Sequence, residues 1–129
     1  MPYEIVYDPD FETWFNAQSE EFQDEMLFYF NVLSQAGPQL GRKLVDHIKG
    51  SSVPNMKELR FDFENMIVRI LFAFDLRRQA YILLGGDKSN DKKWYLRNVP
   101  IADKRFLRHY AAQRAEIEAE AKMRMEQKR

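Results

Sequence analysis

Twelve side chains carry the chemistry this sequence has to offer: Lys57, Arg60, Arg69, Lys88, Lys92, Lys93, Trp94, Tyr95, Arg97, Arg105, Arg108 and His109. Guanidinium and ammonium groups bind phosphate, and aromatic rings stack under bases, so cations interleaved with aromatics suit RNA held single-stranded. Cleaving RNA asks little more. The 2′-hydroxyl is the nucleophile, and a protein has to orient it, stabilise a charged phosphorane-like transition state and manage two protons. Arginine serves the second task, because its planar fork fits a phosphate bidentately. Lys, Tyr or His serves the third.

Arg69 stands out among the twelve. It interrupts the run Met66-Ile67-Val68-Arg69-Ile70-Leu71-Phe72-Ala73-Phe74, and a cation on such a strand must find an anion or open into a cleft. A structural pair with an acid such as Glu58 is the competing reading. The others have plainer alternatives. Lys92 and Lys93 read equally as loop charges, Trp94 and Tyr95 as packing aromatics, His109 as a surface or capping residue, and Arg60 as a charge that keeps an edge strand soluble. Other chemistries fare badly. With no Cys and only His47 and His109, neither a thiolate nucleophile nor a metal site is expected, and no cofactor is called for. Gly85-Gly86-Asp87-Lys88 has the spacing of neither a Walker loop nor a dinucleotide fingerprint. It reads as a bulge or a close backbone approach at a strand end.

The elements that must position these groups follow from hydrophobic periodicity. Runs at 56–61, 66–74 and 80–88, separated by short polar breaks, predict an antiparallel meander, covered on both faces at least centrally. Residues 2–7 predict a first strand. Asp8-Pro9-Asp10 caps a helix carrying Phe11, Trp14 and Phe15. Ser19 caps a second helix whose stripe Phe22, Met26, Tyr29, Phe30 and Leu33 is core, ended by Gly37-Pro38. A shorter helix is expected from about 39 to 48, burying Leu40, Leu44, Val45 and Ile48, then a loop at 50–55. After a polar loop at 87–93, Pro100 is expected early in a final helix running from Ile101 to about Arg114. Residues 115–129 read as a charged helical extension or tail on a domain spanning 1–114.

The length of 129 residues suits one domain, and 45% apolar residues with 14% aromatics argue for a folded core. No run is long enough for a membrane span, and Met1-Pro2-Tyr3-Glu4 lacks a basic, apolar leader, so the cytoplasm is the expected compartment and no membrane partner is expected. The net charge of zero hides an asymmetry. Residues 1–36 hold eight acids and no Lys or Arg, leaving all 20 bases to face 12 acids in residues 37–129, a balance of +8. Separate acidic and basic faces are expected from this, the basic one meeting phosphates.

The order strand, helices, Pro54-Asn55-Met56-Lys57-Glu58-Leu59-Arg60, Val68-Arg69-Ile70-Leu71-Phe72, Gly85-Gly86-Asp87-Lys88 and a closing basic helix resembles the RelE/ParE toxin superfamily. Trp94-Tyr95 with Ile101-Ala102-Asp103 is similar to its HigB-like, phage-derived branch. The resemblance runs from about Tyr3 to His109. It implies an α+β fold of RelE type, a small mostly antiparallel sheet packed on the N-terminal helices, with a C-terminal helix. It also implies a toxin of a type II toxin–antitoxin module, an mRNA endoribonuclease acting on the ribosome to inhibit translation. The implied partner is a cognate antitoxin, a helix-turn-helix protein from the adjacent gene, with an acidic segment ordering over Arg60, Arg69, Lys88 and Arg105. Arg60 and Arg69 would bind or stabilise phosphate, Lys57 would contribute from the neighbouring strand, and Lys88 would sit at the far end of the sheet. Lys92, Lys93, Trp94, Tyr95, Arg105 and His109 would hold the RNA. The alternatives are a ParE-like toxin that binds a protein target such as gyrase without cutting RNA, and an inactive member serving as antitoxin partner or corepressor.

Overall fold

The computed structural model describes residues 2–128. Asp8 accepts from the Asp10 amide at 3.0 Å and Pro9 needs no amide partner, so the chain turns from strand β1 (Ile5–Tyr7) straight into helix α1 (Pro9–Asn16). Ser19 then caps α2 (Glu20–Ala36), its hydroxyl accepting from the Phe22 amide. Phe22, Met26, Phe30 and Leu33 recur at steps of four, four and three and are all buried. Gly37 ends α2 at φ +61°, a left-handed conformation that glycine alone adopts freely. A Cβ there would also fall 2.2 Å from the Tyr3 ring.

Strands β2 (Val45–His47), β3 (Lys57–Phe63), β4 (Met66–Phe74) and β5 (Ala80–Asp87) complete a sheet in the order β1-β5-β4-β3-β2. Only β1 is parallel to its neighbour. Alternation then divides the core. Leu59, Phe61, Val68, Ile70, Phe72 and Ile82 face α1 and α2, while Leu71, Ala73, Tyr81 and Leu83 face the last helix, α3 (Trp94–Gln127). A bulge between Leu71 and Phe72 leaves Leu83 as the extra residue of β5. Beyond it, Gly85 and Gly86 admit two indoles. An added Cβ would stand 2.6 Å from Trp14 at Gly85 and 2.9 Å from Trp94 at Gly86. Of the two readings of the glycines the close approach is the one that holds; the bulge lies at Leu83, and both glycines pair in regular register with Ile70 and Arg69.

Three expectations are corrected. No helix spans 39–48; a 3₁₀ turn (Gly37–Gln39) and one turn closed by Val45 N–H to the Gly41 carbonyl lead into β2. Leu40, Leu44, Val45 and Ile48 have helical spacing, but Gly41 weakens a helix and the edge of β3 offers ladder partners instead. The final helix starts at Trp94, not Ile101, with Pro100 inside it. The carbonyl that Pro100 leaves free belongs to Leu96, which is 73% exposed and can bond to water, and the Asn98 side chain donates to the Trp94 carbonyl. Nor does α3 sit at one end of the sheet, since it covers the second face and continues without a break past Arg114 to Gln127. There Glu116 and Glu120 pair with Arg77 of the β4–β5 turn.

The expected separation of acidic and basic faces also fails in part. Asp8 and Asp10 meet Arg105 and Arg108 of α3, tying the two ends of the fold together. The acids of α2 remain on its solvent side.

Candidate functional site

Register sets the site. Arg60 on β3 lies directly opposite Arg69 on β4, both on the α3 face, and Glu58 shares that face two residues back. Arg69 is 7% exposed and Glu58 only 5%. Glu58 Oε1 stands 3.4 Å from Arg60 Nε and 3.6 Å from Arg69 Nε, so one carboxylate is shared by both guanidiniums. Arg69 is fixed further by Nη1 donating to the Val68 carbonyl at 2.9 Å and Nε donating to Tyr95 Oη at 3.3 Å. Asp46 on β2 approaches Arg60 from the edge at 3.5 Å. The competing reading of Arg69, a pair with Glu58, is therefore also realised. It does not close the site, because Arg60 and Arg69 line an open hollow of about 340 Å³ together with Arg42, Lys43, Phe61 and Asp62.

Tyr95, in the first turn of α3, separates this hollow from a second of about 280 Å³ lined by Lys88, Asn90, Asp91, Lys92 and Tyr95 itself. The Lys88 ammonium stands 5.4 Å from the Tyr95 ring centroid. Burial first, and then the neighbouring Glu58 carboxylate, push the Tyr95 phenol above the ordinary tyrosine range, so it stays protonated. Arg97, in the first turn of α3, hydrogen-bonds Asp91 of the preceding loop and holds that carboxyl below the usual range. The one acid lining the second hollow is thereby engaged, and among the described residues neither Lys88 nor Lys92 pairs with a carboxylate.

Of the residues expected from sequence, Arg60, Arg69, Lys88, Lys92 and Tyr95 converge. Five others do not converge with them. Lys57 shares the face of Leu59 and pairs across β3–β4 with Phe72; its ammonium lies 5.5 Å from the Phe74 ring, on the opposite side of the sheet from Arg60. Trp94 is 4% exposed with its ring against Gly86, so it has no face to offer a base. Arg105 donates to the Leu83 carbonyl at 2.8 Å and pairs with Asp10 at 3.7 Å, which makes it a clasp rather than a phosphate ligand. His109 bonds Asp75 at 2.9 Å and stacks on Tyr81 at 3.5 Å. Tyr81 pairs with Ala73, four residues along β4 from Arg69, about 13 Å at the rise of a strand. Lys93 is exposed at the N-cap of α3 and lines neither hollow.

Sequence reasoning missed Arg42, Lys43 and Asp46. The signal was present in part: Gly41 argued against the helix that hid them, and Glu58 and Arg60, two apart on one strand, had to share a face.

The His109 end of the sheet carries a separate pH consequence. Burial, then the Asp8 charge and hydrogen bond, raise the Tyr81 phenol well above the ordinary tyrosine value of about 10. The unfolded chain thus releases this proton at lower pH than the folded one. Stability from this group is intact below pH ~10 and falls as pH rises beyond it. Denaturant titrations between neutral and alkaline pH should show a shallower alkaline loss for Tyr81→Phe; an equal slope would contradict this.

Residues 13–107 match the family described as "Phage derived protein Gp49-like (DUF891)". A Mycobacterium tuberculosis protein bearing the name toxin HigB3 is 45% identical over 102 residues, covering 78% of this chain and 88% of that protein. Another from the same organism, named toxin HigB2, is 41% identical over 100 residues, covering 76% of this chain and half of that protein. A mutant of the E. coli toxin RelE in its free state superposes with a TM-score of 0.58 at 10% identity, over 81% of this chain and 98% of that one. At that identity the likeness speaks for the fold alone. The match over residues 13–107 and the identity to HigB3 agree: this chain belongs to the phage-derived Gp49-like family, alongside HigB-type toxins, and its sheet has the fold of RelE.

Proposed function

We propose that this protein is the toxin of a type II toxin–antitoxin module, cutting mRNA on translating ribosomes and held in check by a cognate antitoxin encoded alongside it. The observation that carries the reading is Arg69, a nearly buried cation opposite Arg60 that lines the first of two neighbouring hollows, each lined with cations. A scissile phosphate seated there has Arg69 and Arg60 against its non-bridging oxygens, where charge develops as the 2′-oxygen attacks. Tyr95 Oη, half-exposed with Glu58 behind it, takes the 2′-hydroxyl proton while passing its own to the Glu58 carboxylate. That carboxylate has an oxygen, Oε2, with no hydrogen-bond partner. The 2′-O–P bond forms, the P–O5′ bond breaks, and Lys88 protonates the departing 5′-oxygen. His109 and Arg105 have no part in this scheme.

The antitoxin would inhibit by laying an acidic segment across Arg60, Arg69, Lys88 and Lys92. Arg105, already occupied by Asp10, drops out of that surface. One observation favours a second reading: Glu58 and Asp46 already neutralise Arg60 and Arg69, as suits a member that binds a protein target without cutting RNA. A translation extract separates the two. Adding purified protein should fragment the message as protein synthesis stops. An intact message, whether or not synthesis stops, would overturn the nuclease in favour of the binding toxin.

A further inference from the structure

The cations of the cleft are ordered by the sheet. Arg42 and Lys43 stand in the turn entering β2, Arg60 is on β3, Arg69 on β4, and Lys88 follows β5, so the strand order β2-β3-β4-β5 sets them in a row. Neighbouring strands lie about 4.8 Å apart, which makes the row on the order of 14 Å long, running across the strands. Arg42 and Lys43 are exposed, and among the described residues neither pairs with a carboxylate. They overhang the hollow that Arg60 and Arg69 line from below, where Asp62 is the single acid among four bases. The turn is positioned by the backbone: Val45 N–H bonds the Gly41 carbonyl, and Arg60 N–H bonds the Leu44 carbonyl at 2.7 Å. The backbone that carries the two cations is thereby fixed relative to the Arg60–Arg69 pair.

We propose that Arg42 and Lys43 form a phosphate-binding subsite for the RNA strand that is cut. The strand crosses the sheet with its scissile phosphate at Arg69, one flanking stretch on Arg42 and Lys43 and the other on Lys88 and Lys92. This rests on the nuclease reading above and adds the path of the substrate. The row accommodates ~4 nucleotides, the low end of the range for one single-strand platform. Arg42 and Lys43 bind the backbone and touch no reacting atom. They therefore govern affinity and its salt dependence, whereas Arg69 governs the rate.

The same two cations could serve ribosomal RNA, and the test distinguishes the sources. The probe is a labelled single-stranded RNA octamer, 2′-O-methylated throughout so that it cannot be cut, titrated with wild type and with the Arg42→Ala/Lys43→Ala double variant. Thermal melting confirms that both are folded, and pelleting with vacant ribosomes is measured in parallel. The expected result is about tenfold weaker octamer binding, with the slope against log salt reduced by ~1.4 for two lost contacts, and ribosome pelleting retained. Unchanged octamer affinity overturns the subsite, and so does lost pelleting with octamer binding intact, which would assign the pair to the ribosome. Wild type that ignores the octamer yet cuts mRNA on ribosomes also overturns it while leaving the nuclease standing. An intact message in the extract assay sinks the nuclease reading itself.

Discussion

Replacing Arg69 by alanine should slow mRNA cleavage about 100- to 1,000-fold, the cost of one missing donor to a developing oxyanion. Arg69 is the central cation of the row, and its geometry is fixed from both sides by the Val68 carbonyl and Tyr95. The substitution also removes one of two counter-ions from Glu58. Arg60 remains 3.4 Å from that carboxylate, so the loss of stability should stay within about 1–3 kcal/mol rather than unfold the domain. Arg69→Lys provides the cross-check. It keeps a cation beside Glu58 but loses the fork, so it should preserve stability better than alanine and still cut slowly. Rates are compared at equal amounts of folded protein, with melting curves alongside. Cleavage by Arg69→Ala at the wild-type rate would remove Arg69 from the chemistry.

The second large effect is on stability and lies far from the cleft. Asp8 is fully buried and accepts from the Asp10 amide that starts α1, from the Tyr81 hydroxyl at 3.2 Å and from Arg108 at 3.1 Å. Asp8→Ala removes a helix cap, about 1 kcal/mol, and orphans the partly buried Tyr81 hydroxyl, about 1–3 kcal/mol more. A total of ~3 kcal/mol should lower Tm by about 10 °C in a chain of this size. Asp8→Asn keeps one oxygen, enough for the Asp10 amide, and puts an NH2 where the oxygen facing Tyr81 and Arg108 was, so it should recover the cap but only part of the whole loss. If alanine and asparagine melted alike, the charge on Arg105 and Arg108 would outweigh the cap and the tyrosine. A melting point unchanged in both would show that the clasp contributes nothing.

The sequence made the centre of the fold legible and its margins much less so. Strands β3 to β5 run seven to nine residues with clear breaks, long enough for their pattern to show. β2 has three residues, too few for alternation to compete with a helical spacing of leucines. Pro100 looked like a helix start because proline is favoured in the first turn; the exposure of Leu96, which makes it tolerable inside α3, is a tertiary fact. At the site, the Arg60–Arg69 pairing was readable because both sit in long strands. That Lys57 faces away was readable too, since three residues along a strand reverse the face. What no local pattern could reveal is which acids claim the remaining cations. Asp75 for His109, and Asp8 and Asp10 for Arg105, come from elements 34 and about 100 residues away. The acidic N-terminus and basic C-terminus looked like opposed faces for the same reason, until folding brought them into contact.

Attack by the 2′-oxygen leaves a chemical record, and reading it tests the nuclease account most directly. Message recovered from translating ribosomes treated with the protein should carry 2′,3′-cyclic phosphate on the upstream fragment and a free 5′-hydroxyl on the downstream one, with both ends missing when Arg69→Ala is used. Intact message, or fragments ending in 3′-hydroxyl and 5′-phosphate, would contradict cleavage by the Arg60–Arg69–Tyr95 cleft.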